Sequence, residues 1–158
     1  MFVLARAVAY SALFIGLLLI VVPDRVLSAT GITRPAAVGV WQAAGILLGA
    51  AGAALAITCI LTFVFVGRGT PAPFDPPRRL VVRGPYRLVR NPMYLGAGLA
   101  LSGAALFYQS IPLAGYAGLF LLVTHAFVVL YEEPALRRTF TGDYEAYCRR
   151  VGRWWPKP

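Results

Sequence analysis

Four long apolar segments separated by polar stretches run through the chain, and this pattern predicts an all-α membrane protein with about four transmembrane helices. The segments cover residues 2–22, 38–66, 92–108 and 111–131. At about 1.5 Å per residue, the second segment extends about 43 Å, which exceeds a hydrocarbon core of about 30 Å. We therefore expect that helix to tilt or to protrude into the headgroups.

We expect one membrane domain over residues 1–158. Residues 1–66 supply two N-terminal spans, residues 67–91 a long polar loop, residues 92–131 a helical hairpin and residues 132–158 an amphipathic tail. A cleaved signal peptide is the alternative for the first span. Because the start of that span carries only one basic residue, Arg6, and no clear cleavage motif follows the span, we expect a retained helix that ends at Pro23-Asp24.

Small residues are concentrated in the second span, where Gly45 and Gly49 have the G-x-x-x-G spacing. This spacing allows two helices to approach closely. We expect it to serve packing inside the helix bundle rather than dimerisation.

The tail carries apolar residues at three- and four-residue spacing, which is typical of an amphipathic helix. These residues are Leu136, Phe140, Tyr144, Tyr147 and Val151. Gly142-Asp143 should divide the tail into two short helices, with Asp143 as the N-cap of the second. We expect the pair to lie at the membrane interface and to cover the polar loop.

The formal net charge is +9, and 14 of the basic residues are arginines. Because these arginines flank apolar spans, we expect membrane lipids as partners and no binding of nucleic acid. Thirteen of the fifteen basic residues lie in the loop, in the tail or at Arg6, whereas Arg25 and Arg34 lie between the first two spans. The positive-inside rule therefore predicts that both termini and the loop are cytoplasmic.

The hairpin brings two polar clusters together. Asn91 suits the N-cap of the third span, with its side chain accepting a backbone N–H, and Pro92 suits the first helical position. The third and fourth spans are antiparallel and of similar length. They should return Glu132 and Glu133 to the membrane face where Asn91 and Tyr94 lie.

The chain holds one histidine and two separated cysteines, so we expect no metal site. His125 lies within the fourth span, where an ionisable residue is a functional candidate. We expect it to be a neutral imidazole that is hydrogen-bonded to a neighbouring helix.

The adjacent carboxylates Glu132 and Glu133 have two interpretations. They can bind a cofactor that carries positive charge and hydroxyl groups, or they can neutralise Arg87, Arg90 or Arg137. Their spacing alone leaves both interpretations open.

Three motifs follow one another in the second half of the chain. They are Arg90-Asn91-Pro92-Met93-Tyr94-Leu95-Gly96, then Glu132-Glu133-x-x-Leu136, and then Phe140, Tyr144 and Tyr147 followed by Val151-Gly152-Arg153. In this combination and order they resemble the isoprenylcysteine carboxyl methyltransferase and phospholipid methyltransferase group. Those proteins are integral-membrane enzymes that use S-adenosylmethionine. The resemblance covers roughly residues 78–158.

The resemblance implies a pocket for S-adenosylmethionine. Its expected lining is Arg90, Asn91, Tyr94, Gly96, Glu132 and Glu133. Asn91 stands where the family has a histidine, which removes a protonatable ring but keeps a hydrogen-bonding group. Gly152 stands where the family has a proline.

The implied function is methyl transfer to a lipophilic or small acceptor that presents a carboxylate, an amine or a thiol. Arg83, Arg87 and Arg153 are candidates for holding an anionic acceptor, since a guanidinium matches a carboxylate or a phosphate. The alternative is a non-catalytic lipid-binding membrane protein of the same fold. A sterol-type reductase is disfavoured because those enzymes have many more spans.

Overall fold

The computed structural model describes residue 9, residues 12–67 and residues 80–157, and these residues form helices and connecting turns without a strand. The main helices are α1 (Ala12–Ala29), α2 (Val40–Thr62), α3 (Pro92–Tyr108), α4 (Ile111–Phe127) and α5 (Glu133–Arg150). A π-helical turn, Phe63–Gly67, continues α2, and another, Val128–Glu132, joins α4 to α5. A 3₁₀ turn, Gly84–Arg87, precedes α3.

Among the described residues, three helices are long and apolar enough to cross a membrane: α1, α2 with its π-helical extension, and the continuous helix that begins at Ile111. The 17-residue α3 is a shorter apolar helix. The prediction of an all-α membrane fold with about four spans is therefore confirmed. The start of the first span, with Arg6, and the arginines at 68, 78 and 79 lie outside the described residues.

The predicted end of the first span at Pro23-Asp24 is wrong, because the helix continues to Ala29. A π-helical turn, Gly16–Val21, precedes the proline. Pro23 then occupies the first turn of the following α segment, where a missing N–H is tolerated. The helix ends instead at Ala29, with Thr30 as its C-cap. The next residue, Gly31, has a φ of +66° that glycine readily adopts, and the Ile32 N–H donates to the Leu27 carbonyl at 3.1 Å.

Glycines bring α2 and α3 into backbone contact. A Cβ on Gly52 would lie 2.5 Å from Ala100 N and from Gly96 O, and one on Gly45 would lie 2.6 Å from Gly103 O. Such distances leave no room for a side chain. The small residues of α2 therefore pack inside the bundle, as predicted.

The α3–α4 turn has the expected short form. Gln109 is left-handed, with φ of 50°, and Ser110 caps α4 by accepting the Leu113 N–H at 3.2 Å. Further along α4, the Tyr116 hydroxyl donates to the Leu18 carbonyl of α1 at 2.8 Å. The hairpin is thus antiparallel, and α1 packs against it.

The tail has the predicted break, one residue earlier than expected: Thr141 has φ of 38° and ψ of −116° within α5. After the break, Tyr144, Tyr147 and Val151 are buried in a cluster with Leu80 and Val82 of the loop. The apolar stripe of the tail therefore covers the described part of the loop, as predicted.

Candidate functional site

The loop and the tail are joined by backbone and side-chain hydrogen bonds. Val89 and Gly152 form an isolated parallel bridge, in which the Arg90 N–H donates to the Gly152 carbonyl at 2.8 Å. The Tyr147 hydroxyl donates to the Tyr86 carbonyl at 2.6 Å. We call this contact between residues 80–91 and residues 144–157 the loop–tail seam.

Arg90 points its guanidinium into the seam, where its side chain is 10% exposed. Its Nη2 lies 3.2 Å from Glu133 Oε1. Its Nη1 donates to the Tyr144 hydroxyl at 3.4 Å and also contacts Cys148 Sγ. The buried Nε has no hydrogen-bond partner among the described residues. Arg90 therefore connects the loop to both ends of α5 and retains one donor.

Glu133 is occupied by two arginines. Arg153 forms a bidentate pair with it, Nε to Oε1 at 2.7 Å and Nη2 to Oε2 at 3.0 Å, and Arg90 shares Oε1. Burial opposes ionisation of this carboxyl, but the Arg153 hydrogen bond and the charges of Arg90, Arg153 and Arg137 outweigh burial and lower the pKa of Glu133. The ionised carboxylate of Glu133 thus links Arg90 of the loop to Arg153 near the end of the tail.

Glu132 has a different environment although it is the next residue. Its Oε2 accepts a hydrogen bond from the Tyr94 hydroxyl of α3 at 3.1 Å. Burial raises the pKa of Glu132; the Tyr94 hydrogen bond lowers it less, and the charge of Glu133 raises it further. One carboxyl of the pair is therefore stabilised in its charged form and the other is not. Such a divergence is typical of a site where two carboxylates have separate roles.

Of the two interpretations, charge neutralisation therefore applies to Glu133, whose carboxylate pairs directly with Arg90 and Arg153. Neither Arg87 nor Arg137 forms an ion pair with either glutamate within the described residues; Arg137 instead pairs with Glu145.

Asn91 is the N-cap residue of α3, as predicted, but its side chain makes no capping bond. Its Nδ2 instead donates to the Arg153 carbonyl at 3.3 Å. The expected capping interaction is therefore wrong: the Asn91 amide is instead oriented by its bond to the tail backbone, which the sequence could not locate.

Gly96 lies in the α2–α3 interface, where a Cβ would meet Gly52 O at 2.8 Å and Ala56 N at 2.9 Å. Close helix packing accounts for a glycine at this position. Its role in cofactor binding stays a prediction.

The three arginines predicted for the acceptor separate in the structure. Arg153 is paired with Glu133, whereas Arg83, which precedes the 3₁₀ turn, and Arg87, its last residue, are exposed. Arg83 and Arg87 are therefore better placed than Arg153 to meet an anionic group from outside the seam.

His125 bonds to the tail rather than to a neighbouring helix. Its Nδ1 accepts the indole N–H of Trp154 at 2.9 Å, with the two ring centroids 6.0 Å apart. The expectation of a hydrogen-bonded imidazole is confirmed, but the expected partner is wrong.

Sequence reasoning missed Cys148 and Tyr86 as members of the seam. Cys148 follows Tyr144 by one helical turn, so the amphipathic pattern of the tail gave a signal for its position. The position of Tyr86 depends on the folding of the loop and had no such signal. A separate groove of about 690 Å³ lies at the opposite end of the hairpin, next to Trp41, Gln109 and Ile111.

The sequence model of the phospholipid methyltransferase family matches residues 40–143, which covers α2, the loop, the hairpin and the first part of the tail. The chain belongs to this family. No curated protein and no solved structure matches the chain. Family membership and the apolar helices together identify an integral membrane protein of the methyltransferase type. Glu132 and Glu133 fall within the matched residues, whereas Tyr144 and Arg153 follow them.

Proposed function

We propose that the protein transfers a methyl group from S-adenosylmethionine to a lipophilic or small acceptor that presents a carboxylate, an amine or a thiol. The observation that carries the proposal is the convergence of Glu132 and Tyr94 beside the Arg90–Glu133–Arg153 network. Arg90 comes from the loop, Tyr94 and Glu132 from the first and last turns of the hairpin, and Glu133 and Arg153 from the tail.

The side chains fit the proposed cofactor by their chemistry. S-adenosylmethionine supplies an electrophilic methyl group on a positively charged sulfur, and it also carries ribose hydroxyls. The carboxyl of Glu132 can accept hydrogen bonds from such hydroxyls or lie near the positive charge, since within the described part of the chain its one hydrogen-bond partner is the Tyr94 hydroxyl. Arg90 retains its buried Nε donor, and Asn91 lies beside it. We propose Glu132, Tyr94, Arg90 and Asn91 as the cofactor contacts, with Glu133 holding Arg90 in position.

The protein's contribution to methyl transfer would be orientation and exclusion of water. A carboxylate or thiolate acceptor needs no general base, whereas an amine must arrive without its proton. Arg83 and Arg87 are the proposed contacts for an anionic group on the acceptor, because both are exposed next to the seam.

We further propose that the site and both termini face the cytoplasm, on the basis of the basic residues in the loop and the tail. A lipophilic acceptor would then approach sideways from the cytoplasmic leaflet. In that case kcat/KM should rise about fourfold for each CH₂ group of the acceptor that becomes buried, which corresponds to about 0.8 kcal/mol.

Thermal unfolding of the purified protein with S-adenosylmethionine, S-adenosylhomocysteine and NADPH tests the proposal. A ligand present at 100 times its Kd should stabilise the folded protein by about 2.7 kcal/mol. We expect stabilisation by both adenosyl ligands and none by NADPH, with a smaller effect in Glu132→Gln. Stabilisation by NADPH alone would indicate a reductase, and no stabilisation by any of the three would favour a non-catalytic lipid-binding protein.

A further inference from the structure

The C-terminal end of α5 carries three exposed cations and one exposed indole. Arg149, Arg150 and Lys157 are exposed, and Trp155 is 81% exposed. The Lys157 side chain folds back onto the helix end, where Nζ donates to the Cys148 carbonyl at 2.8 Å and to the Arg149 carbonyl at 3.4 Å. We call these four exposed residues, at the end of α5 and in the segment that follows it, the basic end.

The acids of the tail leave the basic end without a salt bridge among the described residues. Glu132 accepts a hydrogen bond from Tyr94, and Glu133 pairs with Arg90 and Arg153. Glu145 pairs with Arg137 across the Thr141 kink, and Asp143 has no salt bridge among the described residues. Three like charges within a few residues repel one another. An external anion would relieve this repulsion.

The neighbouring Trp154 fixes where the basic end lies. Its indole bonds to His125 on the exposed surface of α4, within the apolar helix that spans the membrane. Trp155 and Lys157 follow directly. Tryptophan and basic side chains next to the end of a span are typical of the boundary between hydrocarbon and headgroups.

We infer that the basic end binds the headgroups of anionic phospholipids in the adjacent leaflet, and that this contact holds the tail closed over the loop–tail seam. The physical connection is short. Gly152, which accepts the Arg90 N–H, and Arg153, which holds Glu133, lie between the two parts of the basic end in the chain. Lipid that fixes residues on both sides also restrains the seam between them.

Hydrogen exchange of the protein in nanodiscs tests the inference. Nanodiscs of phosphatidylcholine alone are compared with nanodiscs in which part of it is replaced by phosphatidylglycerol. Each basic residue near an anionic surface contributes a factor of roughly five. We therefore expect phosphatidylglycerol to increase the protection of amides 144–152 at least tenfold, and 0.5 M salt to remove most of the increase.

Two double variants that each remove two positive charges provide the comparison. Arg149→Gln/Arg150→Gln alters the basic end, and Arg25→Gln/Arg34→Gln alters the opposite end of the spans. We expect the first variant to lose most of the phosphatidylglycerol effect and the second to keep it. Equal effects in both variants, or none in the parent protein, would overturn the inference.

A final arm adds inorganic phosphate to phosphatidylcholine nanodiscs. The same protection from free phosphate would show that the surface binds phosphate anions and not a membrane leaflet, which also overturns the inference. None of these measurements uses S-adenosylmethionine, so the outcome does not depend on the proposed activity.

Discussion

The Tyr94 hydroxyl donates a hydrogen bond to Glu132 Oε2 at 3.1 Å, although the two residues are 38 positions apart in the chain. Tyr94 lies in the first turn of α3, and Glu132 ends the π-helical turn after α4. The antiparallel hairpin therefore converts a long separation in sequence into a direct contact. It also distinguishes Glu132, which faces a phenol of the hairpin, from Glu133, which faces two arginines.

The first prediction concerns Glu132. If its carboxylate accepts hydrogen bonds from ribose hydroxyls, Glu132→Gln should weaken S-adenosylmethionine and S-adenosylhomocysteine alike, since both contain the ribose. A charge-assisted hydrogen bond contributes about 1.5–3 kcal/mol, so we expect about tenfold weaker binding or more in calorimetry. Tyr94→Phe removes the phenol hydroxyl and keeps the carboxylate, so it should lose less affinity than Glu132→Gln. Unchanged affinity in Glu132→Gln would contradict the cofactor role.

The second prediction concerns Glu133, whose removal leaves two arginines without their carboxylate. Breaking a buried ion pair on one side costs about 3–5 kcal/mol, and the partial exposure of Arg153 should reduce this toward the lower figure. Glu133→Gln should therefore lower the thermal stability of the tail clearly. Glu145→Gln removes an equal charge from an exposed pair and should cost about 1 kcal/mol or less. Equal losses would mean that the seam does not depend on Glu133.

The third prediction is a pH dependence of the same contact. The pKa of Glu133 is lowered on folding, so its contribution is fully present above about pH 4.5, the ordinary value, and is lost as the pH falls through the lower folded pKa. The stability gap between the parent and Glu133→Gln should close over that range. The pKa of Glu132 is raised, so its protonation at low pH stabilises the fold and would partly mask the effect of Glu133. The comparison should therefore be made with Glu132→Gln present in both proteins. A gap that persists at low pH would exclude ionisation as the cause.

The fourth prediction concerns the glycine contact between α2 and α3. In Gly52→Ala the new Cβ would lie 2.5 Å from backbone atoms of α3, so the helices must separate. Overpacking of this kind costs about 1–3 kcal/mol. Gly118→Ala is the matched control, because open space surrounds that position. The thermal stability of Gly118→Ala in detergent should be equal to or above that of the parent. Similar losses of stability in Gly52→Ala and Gly118→Ala would contradict the packing interpretation.

The fifth prediction concerns topology. A reporter that is active only in the cytoplasm should be active when fused after residue 158 or inserted near Pro73, and silent when inserted near Thr30. Gln109 lies beside Trp41 in the groove at the far end of the hairpin, so an insertion there should behave like Thr30. Matching signals near Pro73 and Thr30 would contradict the arrangement of spans.

The sequence by itself determined the all-α fold, the hairpin and the amphipathic tail. These features depend on local properties: the length of apolar runs, the position of Pro92 after Asn91, and the three- and four-residue spacing that ends at Val151. Hydrophobic burial and backbone geometry act over one or two helical turns, so they can be read without knowing which elements meet. The sequence also predicted that both glutamates lie near the start of α3, because two antiparallel spans of similar length begin and end on the same side of the membrane.

Only the tertiary structure decided how the neighbouring glutamates divide their roles. Two adjacent carboxylates are equivalent in sequence. In the structure their side chains point in different directions, so Glu132 contacts Tyr94 and Glu133 contacts Arg90 and Arg153. The same holds for Asn91, whose amide bonds to the tail instead of capping α3, and for Trp154 with His125. Each of these partners lies between 20 and 62 residues away, and its distance depends on the packing of the whole chain.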